Sequence, residues 1–237
     1  MIDSAGAACV AVKPQLACFE RLGAPGWRAL GEVCEAARAA GLLIVADGKR
    51  GDVPVTARAY GQALVGETQT PWGPVRGLGA DAFTANPLLG DDAIEPLVEA
   101  AESAGAGVFL LVRTTNPGAA AMQDAELDGA PLHERLAAMV AERAPRLAGV
   151  SGLSGMGAVV GATAPQHLGR LRELMPDSIF LVPGVGAQGG RAEELGPALA
   201  PGKPASLLVA AARGIAGSDD PRAAAEELRS ALWGLAE

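Results

Sequence analysis

Two acids and two amines carry the strongest chemical signal in this chain. Asp47 and Lys49 stand two apart in "LLIVADGKRGDVPVTA", where an apolar, β-prone run ends. Period-2 geometry points both side chains to one face of a strand. If that face lines a closed interior, a carboxylate and an amine are held side by side at its mouth. Asp52 follows in the loop, and Lys13 ends the preceding apolar run and approaches laterally. Lys-Asp-Lys-Asp is then a ladder of alternating charge. Neighbouring carboxylates favour the charged form of an amine, and a protonated amine in a closed pocket can donate to a developing carbanion. Asp47 would repel a substrate carboxylate and favour its loss. An ordinary surface salt-bridge cluster explains the same string.

A second group of residues suits a phosphate. "PGVGAQGG" holds G-x-G-x-x-G from Gly184 to Gly189. A dinucleotide reading fits poorly, because the string follows a late strand and no acidic residue stands about 20 residues onward to hold a ribose. A flexible loop whose backbone N–H groups approach one phosphate fits better. Arg213, in "ARGI" after the last strand, lies beside it, and loops after the final strands are the usual phosphate site of α/β barrels. A salt bridge at a helix entry is the plain alternative for Arg213. "SGLSG" lacks the last glycine of G-x-S-x-G when Gly152 starts the count, so a serine hydrolase is set aside.

The elements that must position these residues alternate. Strands are predicted over residues 8–13, 42–46, 80–86, 108–112, 158–161, 179–182 and 207–211. Between them, Trp27, Leu30, Cys34 and Ala37 share a helical face, as do Ile94, Leu97, Val98 and Ala101 behind the capping candidates Asp91 and Asp92. Leu132, Leu136, Met139 and Val140 mark a further helix, and Leu168 and Leu171 another. The last helix starts at Pro221, with Asp219 and Asp220 as caps. Alternation of this kind makes a parallel α/β sheet with its chemistry at the strands' C-terminal ends. Seven strands are one short of a closed (β/α)8 barrel, so an open doubly wound sheet is the architectural rival.

Composition narrows the function. Apolar residues are 49% of the chain but aromatics only 3%, so the core is built from Ala, Val and Leu. Gly and Pro recur between apolar runs without pooling into a linker, which predicts one domain over 1–237. A net charge of −8 without any basic run argues against nucleic acid. Cys9, Cys18 and Cys34 read as small buried hydrophobes in a reducing cytoplasm. His133 and His167 stand too far apart in sequence to suggest a metal cluster, so no metal and no cofactor is expected. No apolar run reaches the ~20 residues of a membrane span.

"DGKRGDVPVT" resembles the D-x-K-x-x-D-[IV]-x-x-T signature of orotidine 5′-phosphate decarboxylases, and Lys13 in "CVAVKPQLACFE" resembles that family's preceding-strand lysine. "ADAFTANPLLG", "VFLLVRTTNPGAA", "VVGATAP", "LVPGVGAQGG" and "LLVAAARGI" continue the resemblance in the family's order, most like its longer bacterial class. The resemblance implies a TIM barrel of the phosphate-binding type, decarboxylation of orotidine 5′-phosphate to UMP in pyrimidine biosynthesis, and no metal. It assigns Lys49 as proton donor to C6 of the pyrimidine, Asp47 as the group pressing on the leaving carboxylate, and Lys13 as orienter of Asp47 and the ribose. Asp52 and Thr56 match positions that complete a neighbouring subunit's site, which implies a homodimer. Thr115 matches a residue near the pyrimidine, Pro183 lines the base, and Gln188, Arg213 and Gly214 hold the 5′-phosphate. Related Mg²⁺-dependent sugar-phosphate enzymes share D-x-K-x-x-D but carry an acid where Lys13 stands. A non-catalytic, phosphate-binding remnant of the barrel is the rival from another class.

One departure stands out. The family begins with a strand ending in a ribose-binding Asp, and no such strand precedes residue 8, Asp3 having none behind it. A late start site and a real truncation both account for it, and intact motifs favour the first. Unpaired strand edges are an association hazard, so low solubility and slow turnover are expected of these 237 residues.

Overall fold

A computed structural model describes residues 1–236. The chain divides into two compact units, Met1–Val108 and Phe109–Glu237, and the division falls inside a strand. All seven expected strands form: β1 (Ala11–Val12), β2 (Leu43–Arg50), β3 (Ala82–Ala85), β4 (Gly107–Arg113), β5 (Ser154–Val160), β6 (Ser178–Pro183) and β7 (Leu207–Ala210).

In the first unit β1 pairs parallel with β2 (Ala11↔Leu43, Val12↔Ile44), and β2 pairs parallel with β3. β1 is much shorter than the predicted 8–13. Gly6–Ala8 closes a 3₁₀ turn instead, and Pro14, lacking an N–H, cannot extend the ladder as a donor. Its carbonyl still accepts from the Asp47 N–H at 3.0 Å, which keeps Lys13 alongside the end of β2. α1 (Ala24–Ala39) buries Leu30, Cys34 and Ala37 as expected, whereas Trp27 stays 46% exposed. Gly26 takes the inward place, because any Cβ there would strike the Phe19 backbone carbonyl. α2 (Pro54–Leu64) packs on α3 (Asp91–Ala104), where Gly61 leaves room for Ala100. Asp91 and Asp92 do not cap α3 with their side chains; Gly90 is the N-cap, and both acids sit in the first turn, where their charge complements the helix dipole. "ETQTPWGPVR" forms a hairpin pairing Glu67–Thr70 with Gly73–Arg76.

In the second unit β5 pairs parallel with β6, and β6 with β7 (Val182↔Val209, Pro183↔Ala210). Its helices are α4 (Leu132–Arg143), α5 (Leu168–Leu174) and α6 (Pro221–Trp233). Asp220 is the cap of α6, accepting from the N–H groups of Arg222 and Ala223 at 3.1 and 3.0 Å. α4 turns about one residue from the expected face: His133, Ala137 and Val140 are buried, and Leu136 and Met139 flank them. That rotation carries His133 inward. Ser154 is buried and donates to the Ala144 carbonyl. No helix among the described residues is long and apolar enough to cross a membrane.

Candidate active site

β2 runs through the signature rather than stopping before it, and it does not do so as a regular strand. The register against β3 jumps from Ala46↔Phe83 to Arg50↔Ala85, four residues on one side against two on the other. Within this bulge Lys49 has φ +48°. A side chain in the left-handed region costs roughly 1–2 kcal/mol and persists only where its surroundings hold it. Here Thr84 does the holding. Its Oγ1 accepts from the Lys49 N–H at 2.9 Å and donates to Asp47 Oδ1 at 2.9 Å. Asp47 and Lys49 therefore meet because of a bulge, not because of simple alternation.

The result is a carboxylate gripped from both sides. Lys49 Nζ donates to Asp47 Oδ1 at 2.6 Å, and Lys13 Nζ donates to Oδ2. Asp47 is 6% exposed, against 25% for Lys13 and 43% for Lys49. Burial alone would raise the pKa of Asp47. The charge of Lys13 and the hydrogen bonds from both lysines outweigh it and hold the carboxyl below the usual range. Asp47 is thus an anion at neutral pH. Arg50 anchors the far side, paired with Glu20 and with its guanidinium 5.3 Å from the centre of the Tyr60 ring.

Asp52 does not join this group. Its Oδ1 accepts from the Val53 N–H at 2.7 Å, and it makes no ion pair with Lys13 or Lys49 among the described residues. Three members of the expected ladder come together and the fourth stands apart. Thr56 lies in the first turn of α2, half-buried between exposed Val55 and buried Ala57.

Thr84 had no sequence signal beyond lying in a strand pattern. Replacing it with Val removes both bonds while keeping the shape, and leaves the Lys49 N–H unpaired. We expect about 1–3 kcal/mol lost stability, read as a lower urea midpoint. An unchanged midpoint would show that the bulge holds itself.

The second unit carries the groups expected at a phosphate. Pro183 ends β6, and the following loop doubles back on itself. Gly184, Gly186 and Gly189 all have positive φ, and the N–H groups of Gly186 and Gly190 bond to the carbonyls of Gly190 and Gly184. Gln188 sits exposed at the tip. β7 lies in register beside β6 and delivers Arg213 and Gly214 to the start of a short helix, Arg213–Ala216. Arg213 is exposed and makes no ion pair among the described residues, so the helix-entry salt bridge is not formed. Thr115 leans over the same loop: a Cβ on Gly184 would lie 2.8 Å from its Cγ2.

The expectation that His133 and His167 lie too far apart is overturned. α4 and the 3₁₀ turn Pro165–His167 bring their ring centroids to 4.5 Å, next to Asp124. Sequence distance is no guide across a packed helix pair.

Residues 1–228 match the family described as "Orotidine 5′-phosphate decarboxylase / HUMPS family". The chain is 44% identical to an orotidine 5′-phosphate decarboxylase of Rhodopirellula baltica, over 84% of this chain and 65% of the relative. It is 42% identical to the enzyme of that name from Deinococcus radiodurans, over 95% of this chain and 80% of the relative. Among solved structures, the UMP synthase of Leishmania donovani superposes with a TM-score of 0.81 at 36% identity, covering 99% of this chain and 48% of that one. The chain thus spans less than two thirds of the length of several relatives that it matches. These likenesses make the fold an α/β barrel of the TIM type, with seven parallel barrel strands among the described residues, rather than an open doubly wound sheet. By sequence and by fold alike, this chain belongs to the orotidine 5′-phosphate decarboxylase / HUMPS family.

Proposed function

We propose that this chain decarboxylates orotidine 5′-phosphate to UMP and carbon dioxide, in pyrimidine biosynthesis. The observation that carries the reading is the buried Asp47 carboxylate clamped between two ammonium groups, one of them on a backbone held at positive φ. Asp47, already anionic and fixed, stands against the substrate carboxylate and disfavours the ground state. The C6–carboxylate bond breaks with its electron pair left on C6. Lys49 delivers the proton to that carbon, and water returns one to its amine. Lys13 holds Asp47 in place and serves the ribose. Thr115 and Pro183 line the base, while Gln188, Arg213 and Gly214 bind the 5′-phosphate.

Two related readings are weaker. A Mg²⁺-dependent sugar-phosphate reaction would need the Asp47 oxygens for the ion, and Lys13 already occupies Oδ2. A binding-only remnant would have little use for a strained lysine. The test is absorbance at the orotate band after mixing with orotidine 5′-phosphate in a metal chelator. A decline supports the decarboxylase; nucleotide binding without decline supports the remnant, and activity restored only by Mg²⁺ supports the sugar-phosphate branch. Arg213→Ala is expected to raise KM by roughly 10–100-fold, the worth of one or two charged hydrogen bonds, with a smaller change in kcat. Unchanged KM would remove Arg213 from the phosphate site.

A homodimer completes the reading. Asp52 is free of its own chain's lysines, and exposed Val53 and Val55 flank it and Thr56. Both residues would serve the neighbouring subunit's site. Mixing Lys49→Ala with Asp52→Ala chains is then expected to restore about a quarter of wild-type activity by random pairing, with one intact site in each mixed dimer. No recovery would place Asp52 in its own chain's chemistry. Residues 1–237 are read as one domain, because the division between the units falls inside β4. Of the three cysteines expected to be buried hydrophobes only Cys34 is buried, Cys9 being half-buried and Cys18 exposed; all three are free thiols, which fits a reducing cytoplasm.

A further inference from the structure

The second unit assembles three metal-type ligands that the proposed reaction does not use. Asp124 follows the short helix Ala119–Gln123, His133 is on the buried face of α4, and His167 ends the turn Pro165–His167. One ligand atom from each lies within 4.8 Å of the others. His133 Nδ1 is 3.2 Å and His167 Nε2 3.7 Å from Asp124 Oδ1. Tetrahedral zinc with bonds of about 2.0–2.2 Å separates its ligand atoms by about 3.3–3.6 Å. Both imidazole distances to Asp124 Oδ1 are therefore within about 0.1 Å of that spacing.

Its charge balance selects the ion. Arg113 forks onto Asp124, Nε to Oδ1 at 2.7 Å and Nη2 to Oδ2 at 3.0 Å. That fork takes one acceptor site on each oxygen, and an ionised carboxylate has about four. Oδ1 keeps one, on the side of the imidazoles. Because Arg113 neutralises Asp124, net charge gives little attraction for Mg²⁺ or Ca²⁺. Two imidazoles instead favour a late first-row transition ion. His133 is 2% exposed, and its Nδ1 is also 2.8 Å from the Gln123 carbonyl oxygen. Coordination through Nδ1 moves the ring proton to Nε2 and requires the Gln123 carbonyl to draw back, because 2.8 Å is too close for two ligand atoms of one tetrahedral ion.

We propose that Asp124, His133 and His167 bind one Zn²⁺-like divalent ion, at a site that regulates and does not perform chemistry. The coupling is visible in the bonds around it. Arg113 Nη1 donates to the Thr114 carbonyl at 2.7 Å, and Gln123 Oε1 accepts from the Thr114 N–H at 2.8 Å. An ion on Asp124 thus acts on the segment that carries Thr115. Binding of the ion stands on this geometry alone, whereas its regulatory effect rests on the base-lining role proposed above for Thr115.

Titration of the whole chain with Co²⁺ tests it. One equivalent is expected to bind with the intense visible band of a tetrahedral ion, and Zn²⁺ is expected to displace it. His167→Ala, at a partly exposed position where folding is retained, is expected to weaken binding at least tenfold, and Asp124→Asn likewise. Three results would overturn the proposal: no saturable binding, only a weak octahedral band, or an unchanged band in His167→Ala. A thiolate charge-transfer band would place the ion on the cysteines and equally reject the site.

Discussion

Lys49→Ala is expected to lower orotidine 5′-phosphate turnover by about 10²–10⁴-fold relative to the unaltered chain, the usual share of a positioned general acid. The argument rests on position and on chemistry. Lys49 Nζ lies 2.6 Å from a carboxylate that Lys13 also holds, so the alanine variant keeps Asp47 paired and folded. What disappears is the proposed proton donor. Lys49→Arg sharpens the test, because a guanidinium keeps the charge but is a far weaker acid. If Lys49 acts mainly by transferring a proton, both variants fail; if it acts only by charge, arginine restores much of the rate. Binding of UMP, followed by calorimetry, is expected to survive in both. A Lys49→Ala turnover within tenfold of the unaltered chain would end the assignment.

Arg172→Met is expected to unfold the second unit or bring it close to unfolding. Arg172 is 6% exposed on α5, and its guanidinium donates to five backbone carbonyls: Ala198 at 2.8 Å, Met175 at 2.8 Å, Ser178 at 2.7 Å, Ser206 at 3.3 Å and Pro176 at 3.4 Å. The same group lies over Phe180, 3.8 Å from the ring centre. Burial pushes its pKa down to about 10, with Asp177 opposing, so it remains charged at neutral pH. Methionine fills much of the space but takes the guanidinium donors away, and the Met175 carbonyl keeps only the Ser178 N–H at 3.3 Å. Each buried, unpaired group costs about 1–3 kcal/mol, against a total stability of about 5–15 kcal/mol for a domain. Lysine is not expected to rescue, since one ammonium cannot reproduce a planar fork. A guanidinium chloride midpoint within a few tenths molar of the unaltered chain would show that the carbonyls find other partners.

Neither Arg172 nor Thr84 announced itself in the chain. Arg172 lies beside Leu171 in a helical pattern, where a charged residue reads as the solvent face. Only the approach of the Ala198 and Ser206 carbonyls turns it into a buried hub. Thr84 sits among β-prone residues and reads as an ordinary strand position. The unusual backbone of Lys49, 35 residues earlier on the neighbouring strand, gives it a role. The inward turn of His133 is of the same kind, since the apolar residues at 132, 136 and 139 pointed to a neighbouring face.

By itself the amino-acid order determined what is local or periodic. The seven strands and the helices between them follow from hydrophobic spacing. The glycine loop at 184–189 follows from residues that alone accept positive φ cheaply, and Lys13, Asp47 and Lys49 stand where apolar runs end. Tertiary structure decided what depends on two distant segments agreeing on a distance. It bulged β2 so that Asp47 meets both lysines, kept Asp52 out of that group, and gathered Asp124, His133 and His167. The physical reason is one of range. Torsional preference and periodicity act over a few residues and can be read along the chain, whereas a hydrogen bond exists only if packing elsewhere brings donor and acceptor within about 3 Å.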